Sequence, residues 1–263
     1  WVSNDEILGC TDELACNYNE EANVEDGTCE YSCHNNGDYS LGFDGVDDYV
    51  RVLDNSTLQF TDNFSASIWY SRGSNISTDN DFQMILSKQG DGNPNPYGWM
   101  FGFNDDSWYA NIENDGELSI YCGECNGGDA SNWTEVGSFN NWHHVVLTVT
   151  QNETIKLYLD GNQLYSEPIE EINLFENVVA DLLIGVDRQE NEYLHASIDN
   201  ISLLNRSIDD NEIAVLFNDS DTIDNQEGLV GYYKFNAGEN DILYDYSGNG
   251  NHGTIHGESQ WIS

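Results

Sequence analysis

His143-His144-Val145-Val146-Leu147-Thr148-Val149-Thr150, then Gln151-Asn152-Glu153, then Thr154-Ile155-Lys156-Leu157-Tyr158-Leu159 and Asp160-Gly161: residues 143–161 carry the signal that decides the fold. Two runs of β-branched and aliphatic residues flank a polar turn, which is the pattern of a hairpin. Asp160-Gly161 then turns the chain into a third run at 163–165.

The same punctuation continues in both directions. Upstream, runs at 39–43 and 49–53 flank an Asp-Gly turn, and further runs lie at 65–71, 83–87, 97–103, 108–112 and 117–121. Downstream, runs follow at 182–186, 194–204, 229–235 and 253–256. One helix is expected at 212–217, opened by Ser207-Ile208-Asp209-Asp210, with Ile213, Leu216 and Phe217 on one face. More than ten short strands with a single helix predict an all-β fold, a two-sheet antiparallel jelly-roll sandwich. A chain of 263 residues suffices to build it as one unit.

Composition narrows the partners. Seven Lys+Arg against 48 Asp+Glu give a formal net charge of −41, which repels phosphate backbones and anionic membranes and attracts divalent cations. Neither nucleic-acid binding nor membrane insertion is expected, and no apolar run approaches the roughly 18 residues a bilayer-spanning helix needs. Trp1-Val2-Ser3-Asn4-Asp5-Glu6 has no basic region and no apolar stretch, so the sequence reads as a mature or internal fragment.

Six cysteines form local clusters: Cys10, Cys16, Cys29 and Cys33, then Cys122 and Cys125. Their even number predicts disulfides and an oxidising, extracellular setting, at a cell surface or in a secreted filament. The first four lie in a stretch too poor in apolar residues to hold itself by burial, so residues 1–36 read as a small stapled, calcium-binding linker module. Four cysteines allow three pairings, and the sequence does not choose among them. Cys122-Gly123-Glu124-Cys125 reads as a loop disulfide, since there is no second CxxC to complete a zinc site. N-x-S/T sequons at Asn55, Asn63, Asn75, Asn132, Asn152, Asn200, Asn205 and Asn218 mark glycosylation candidates.

Ser40-Leu41-Gly42-Phe43-Asp44-Gly45-Val46-Asp47-Asp48-Tyr49-Val50, the run from Trp142 to Val149, and Leu157-Tyr158-Leu159-Asp160-Gly161 resemble laminin G-like, concanavalin A-like jelly-roll domains. So do Ser197-Ile198-Asp199-Asn200-Ile201-Ser202-Leu203-Leu204-Asn205-Arg206-Ser207-Ile208, Leu229-Val230-Gly231-Tyr232-Tyr233-Lys234-Phe235-Asn236 and Asp245-Tyr246-Ser247-Gly248-Asn249-Gly250-Asn251-His252-Gly253. These segments span most of 39–257 in family order, within a jelly roll placed at 37–260. The cysteine segment resembles a short repeat found beside such domains in large secreted marine microbial proteins. The resemblance implies glycan or protein binding, adhesion and structural calcium, rarely catalysis. It also implies that the first and last strands are neighbours.

Calcium takes six to eight oxygens, which a Gly- and Asn/Asp-rich loop can supply. Asp245, Asn249 and Asn251 are the leading candidate ligands, with Asp44, Asp47 and Asp199 as additions that the family's strand order would bring close. Asp12, Asn17, Asn19 and Asp26 form a second candidate set, without the EF-hand spacing. For sugar stacking the candidates are Trp133, Trp108 and Tyr121, whereas Trp69 and Trp142 occupy positions that read as core. No strand carries the Glu-x-Asp-x-(x)-Glu pattern of jelly-roll glycanases, and the Arg and His partner strands of jelly-roll polysaccharide lyases are missing, so no catalytic residue is expected. Trp1-Val2-Ser3 and Trp261-Ile262-Ser263 repeat each other, which would make 261–263 the start of a next repeat. The expected function is a calcium-stabilised adhesion or structural module of a repetitive surface or filament protein, with other copies of itself as partners. The alternative is a module that binds a polysaccharide or glycoprotein glycan.

Overall fold

The computed structural model describes residues 6–60, 62–73, 82–90, 97–104, 107–113, 117–122, 137–168, 178–223 and 226–263. A two-residue parallel ladder, β1 (Leu8–Gly9) with β2 (Val24–Glu25), lies in the cysteine segment. Then follow β3 (Ser40–Asp44), β4 (Tyr49–Val52), β5 (Phe64–Arg72), β6 (Phe82–Gly90), β7 (Tyr97–Asn104), β8 (Ser107–Glu113) and β9 (Glu117–Cys122). The predicted hairpin is β10 (His143–Thr150) with β11 (Thr154–Leu159), and its third run is β12 (Asn162–Pro168). The rest are β13 (Leu182–Ile184), β14 (His195–Leu204), α1 (Asp210–Asn218), β15 (Leu229–Tyr233), β16 (Ile242–Leu243), β17 (Gly253–His256) and β18 (Gln260–Ile262).

These strands form two eight-stranded sheets. Sheet I runs β12-β11-β10-β5-β14-β3-β18 with β15 beside β14, and sheet II runs β16-β17-β4-β13-β6-β7-β8-β9. Among the described residues all their pairings are antiparallel, and the first sandwich strand does meet the last, Trp261 standing opposite Leu41. Period-2 alternation explains the packing. On β5, Phe64, Ala66, Ile68 and Tyr70 point inward to meet Phe101, Phe103 and Trp108 of sheet II, while Ser65, Ser67, Trp69 and Ser71 point outward. Trp108 is thus a core residue, 1% exposed and stacked on Phe101, which removes it as a surface platform.

Part of the outer face of sheet I is roofed by α1. Its N-cap is Asp209, whose carboxylate accepts from the Asn211 and Glu212 N–H groups while Glu212 accepts from the Asp209 N–H, a closed capping box. Ile213 and Leu216 are buried with Ile208, Val146, Leu204 and Tyr232 beneath the helix, and Phe217 stacks on Trp69.

The cysteine segment pairs Cys10 with Cys29 and Cys16 with Cys33. It is docked rather than detached. Tyr31 is buried against Ala237 and Tyr244, His34 stacks on Tyr244 at 3.7 Å, and Asn36 donates to the Ala237 carbonyl. Residues 261–262 belong to β18, with Trp261 packed against the core, so they close this sandwich.

Candidate functional site

The 245–253 loop is held together by Asp245, which is fully buried. Its Oδ1 accepts from the Tyr232 and Ser247 N–H groups and its Oδ2 from the Ser247 hydroxyl and the Asn251 N–H, all at 2.9 Å. Asn249 and Asn251 act as donors, to the Leu229 and Val230 carbonyls. The Asp245 carboxylate is thus wrapped by hydrogen-bond donors, while the buried Asn251 Oδ1 has no hydrogen-bond partner. Burial raises the Asp245 pKa, and those four bonds oppose the rise.

Asp12 reaches the same loop. Its Oδ2 accepts from Tyr31 Oη and from His252 Nε2, both at 2.7 Å. Because His252 Nδ1 accepts the Asp245 N–H, the ring proton sits on Nε2 and is donated to Asp12. Burial alone would raise the Asp12 carboxyl, but the bonds from Tyr31, the Leu14 N–H and His252 together hold it below the usual range. Asn19 and Asp26 accept the main-chain N–H groups of Glu21 and Thr28 two residues on and shape turns, whereas Asn17 ties the two halves of the segment together, accepting the Glu30 N–H and donating to the Thr28 carbonyl. Asp12 latches the segment to the 245–253 loop.

Asp44 and Asp47 do converge, with Asp48 rather than with Asp245. One carboxylate oxygen from each of the three lies within 4.8 Å of the others. Asp48 is 3% exposed, its Oδ2 accepts the Asp44 N–H, and its buried Oδ1 has no hydrogen-bond partner. Burial raises the Asp48 pKa and the Asp44 charge adds to the rise, while the Asp44 N–H bond and weaker contacts with the Ser259 hydroxyl and the Glu258 main chain oppose it.

Beside this cluster, beyond the α1 roof, the outer face of sheet I forms a trough. Two adjoining depressions, of about 510 Å³ and about 560 Å³, share Ser71, Ser197 and Ile262. Register explains the floor: Ser197 stands opposite both Ser71 and Gly42, and Asp199 stands opposite Trp69. Small side chains in adjacent strands leave the depression. One end is walled by Trp69, Trp142, Tyr39 and Asp38, the other by Asp44, Asp48, His195 and Glu258. Asp199 is thus a trough residue, and its Oδ1 accepts the Asn200 N–H.

Trp142 is 44% exposed and Trp69 is half-buried, which corrects their expected core role. The signal for Trp69 was its parity with Ser65, Ser67 and Ser71; Trp142 precedes the strand instead of lying in it. The Trp142 loop is pinned by His143, whose Nδ1 pairs with Asp160 Oδ2 at 2.8 Å and whose Nε2 accepts the Ser138 N–H at 3.0 Å. That lone pair is engaged by the Ser138 N–H. Of the other stacking candidates, Trp133 lies outside the described residues. Tyr121 sits on β9 with its Cα opposite Tyr109, its side chain outside what is described. Trp1, Cys125, Asn75 and Asn132 also lie outside. Among the sequons, Asn152, Asn205 and Asn218 are exposed, while Asn55 and Asn63 accept main-chain N–H groups and Asn200 lines the trough.

Trp69 is backed by His144, their ring centroids 5.2 Å apart, and His144 Nε2 meets the Ser67 hydroxyl at 2.7 Å. Burial lowers the His144 pKa to about 4 against a small opposing pull from Asp160. The folded state therefore holds the neutral ring, and the unfolded chain binds the extra proton between its ordinary pKa and 4. Stability present above pH 6.5 is expected to fall as pH drops through that window, by on the order of 3 kcal/mol. Urea unfolding of His144→Gln and the parent at pH 7.5 and 4.5 checks this. The parent should lose more than the variant, and equal losses would exclude the effect.

Comparison with known proteins places this architecture. Over 81 residues the chain is 26% identical to Paraclostridial mosquitocidal protein 1 of Paraclostridium bifermentans, which covers 31% of the chain and only 6% of that protein. The structure superposes on that protein's binding domain with a TM-score of 0.51 at 19% identity, covering 86% of this chain and 53% of that one. A Bacteroides ovatus protein named as a "putative carbohydrate binding protein" gives 0.61 at 16% identity, over 86% of this chain and 60% of that one. The binding domain of botulinum neurotoxin DC in complex with SialylT gives 0.51 at 18% identity, over 68% and 42%. At these identities the likeness is one of fold, and the chain spans less than two thirds of each relative. A sequence model of the concanavalin A-like lectin/glucanases superfamily, of laminin G type, matches residues 44–214. That match covers well over half of the chain and runs through β10, β11 and the trough strands β5 and β14, so the chain belongs to the concanavalin A-like lectin/glucanases superfamily.

Proposed function

We propose that this chain is a glycan-binding module of an extracellular protein, binding through the sheet I trough without cleaving its ligand. The observation that carries the reading is the pairing of two accessible indoles, Trp69 and Trp142, with a floor of Ser71, Ser197 and Gly42. Pyranose rings present C–H faces that stack on indole, while hydroxyls find serine and carboxylate partners at the floor. The binding domains and the carbohydrate-binding name among the structural relatives support it, as do two disulfides, which persist in oxidising compartments. Adhesion is the use such binding would have on a surface protein. On a glycan array followed by titration calorimetry, Trp142→Ala is expected to weaken the best ligand about tenfold, equivalent to roughly 1.4 kcal/mol. Binding that survives Trp142→Ala and Trp69→Ala unchanged, or an array with no ligand, would overturn the proposal.

A second reading concerns calcium. The family resemblance implies a structural ion, and the residues at Asp44, Asp47 and Asp48 fit one: three carboxylates of suitable spacing, with a buried Asp48 oxygen lacking a partner. Such an ion would offset the mutual repulsion of the three and brace the rim of the trough. The expected result is a rise in melting temperature on adding millimolar calcium to chelator-treated protein, abolished in Asp47→Asn. An unchanged melting temperature would rule the ion out.

A further inference from the structure

We propose that the trough holds a run of about three or more residues of an extended, equatorially linked oligosaccharide, in two subsites of different chemistry, rather than one terminal sugar. The inference rests on the glycan-binding reading and adds the ligand's length and shape to it. On β14, Asp199 lines the depression that carries the indoles, and His195 lines the far one. Four residues of strand separate them, about 13 Å at about 3.3 Å each. Neighbouring strands lie about 4.8 Å apart, a gap that one pyranose ring nearly fills, so the trough is several rings long. Each depression, at about 510 Å³ and about 560 Å³, matches a pocket for a ligand larger than a monosaccharide.

The two ends differ in kind. The near depression stacks sugar faces on Trp69 and Trp142, whereas among the described residues no indole lines the far one. There Asn140, His195 and Gln260 present polar groups suited to ring hydroxyls. Ser71 and Ser197 line both depressions, and Ile262 lies over Gly42, where a Cβ would meet its Cδ1 at 2.8 Å. The saddle is therefore low enough for a chain of rings to cross. One long wall is continuous, because the 137–142 loop sets Trp142 on the near depression and Asn140 on the far one. Asn140 holds a φ of 58° and donates its N–H to the Arg72 carbonyl, while the Arg72 guanidinium lies over Phe139. That wall is set before a ligand arrives, which spares the cost of ordering it on binding. The floor follows β5 and β14 side by side, so it suits a ribbon-like chain, whereas an α1,4-linked glucan curls away from it.

The test titrates β1,4-linked glucose, mannose and xylose oligomers of increasing length, from monosaccharide to hexamer, by calorimetry. Oligomers of α1,4-linked glucose serve as the curved control. All are run at one fixed calcium concentration, so that the Asp44, Asp47 and Asp48 cluster is in the same state throughout. In at least one β series the affinity is expected to rise about tenfold from dimer to tetramer and to level off by the hexamer. The α series should stay at least about tenfold weaker. Asn140→Gly, which keeps the positive φ, combined with Gln260→Ala should cut the tetramer-to-dimer ratio to about two. Both positions are exposed, and an unchanged melting temperature confirms that the double variant folds. Trp142→Ala should weaken every length. A monosaccharide bound as tightly as the tetramer, or a ratio that the double variant leaves as it was, would overturn the inference while glycan binding stands. An α series bound as tightly as the β series would do the same, as would β series that fail to bind while an array ligand requires Trp142. An array with no ligand would remove the glycan reading itself.

Discussion

Asp245→Ala is expected to lower the unfolding free energy by about 3–5 kcal/mol. The carboxylate is fully buried and accepts four hydrogen bonds, from Tyr232, Asn251 and twice from Ser247. Truncation leaves those donors in the interior without partners, and an unsatisfied buried donor costs about 1–3 kcal/mol. Relaxation of the loop recovers part of the sum. Asp245→Asn should fall between, because its amide nitrogen cannot accept the bonds that Oδ2 now takes. The loss should be the same in chelator as in calcium, since the carboxylate faces N–H and O–H groups. Equilibrium urea unfolding measures it. A loss below about 1 kcal/mol, or one seen only when calcium is present, would contradict the reading of this loop.

The second large effect is expected at Lys88. Its side chain is 1% exposed, and Nζ meets Asp54 Oδ1 at 2.8 Å and the Ala180 carbonyl. Burial holds its pKa below that of an ordinary lysine, with the Asp54 bond opposing. Asp54→Ala strands the ammonium with one carbonyl and should cost about 3 kcal/mol or more, whereas Lys88→Met, of similar shape, should lie within about 1 kcal/mol of the parent. The pH dependence follows. A lysine whose folded pKa is depressed binds fewer protons folded than unfolded, so the stability of Asp54→Ala should recover as pH rises toward 10. Denaturant midpoints for the two variants at pH 7 and 9.5 give the answer. A Lys88→Met loss matching that of Asp54→Ala would show that the pair acts through something other than charge.

Of these two residues, only Asp245 stands out in the sequence. Lys88 sits in an ordinary strand run, and nothing local reveals that a carboxylate from the segment after β4 arrives beside it. Asp245 was legible as a loop residue, and oxygen-rich loops of that composition suit calcium. Only the arrival of the Tyr232 N–H from β15 showed which way its oxygens face.

The tryptophans show the same division. Trp108 and Trp69 both lie in alternating strands, and alternation separates two faces without saying which face a second sheet or a helix covers. Trp108 shares parity with Ala110 and Ile112 and faces the core; Trp69 shares parity with three serines and faces out, where α1 stops short of covering it fully.

From the sequence alone came the short strands and their turns, the helix with its capping signal, the stapled N-terminal segment and the strongly acidic surface. All of these rest on interactions between residues close in the chain or on bulk composition. The disulfide pairing, the latch from Asp12 to His252 and the trough itself were decided by the tertiary structure. Each depends on which strands become neighbours across tens to hundreds of residues, and side-chain periodicity carries no record of that choice.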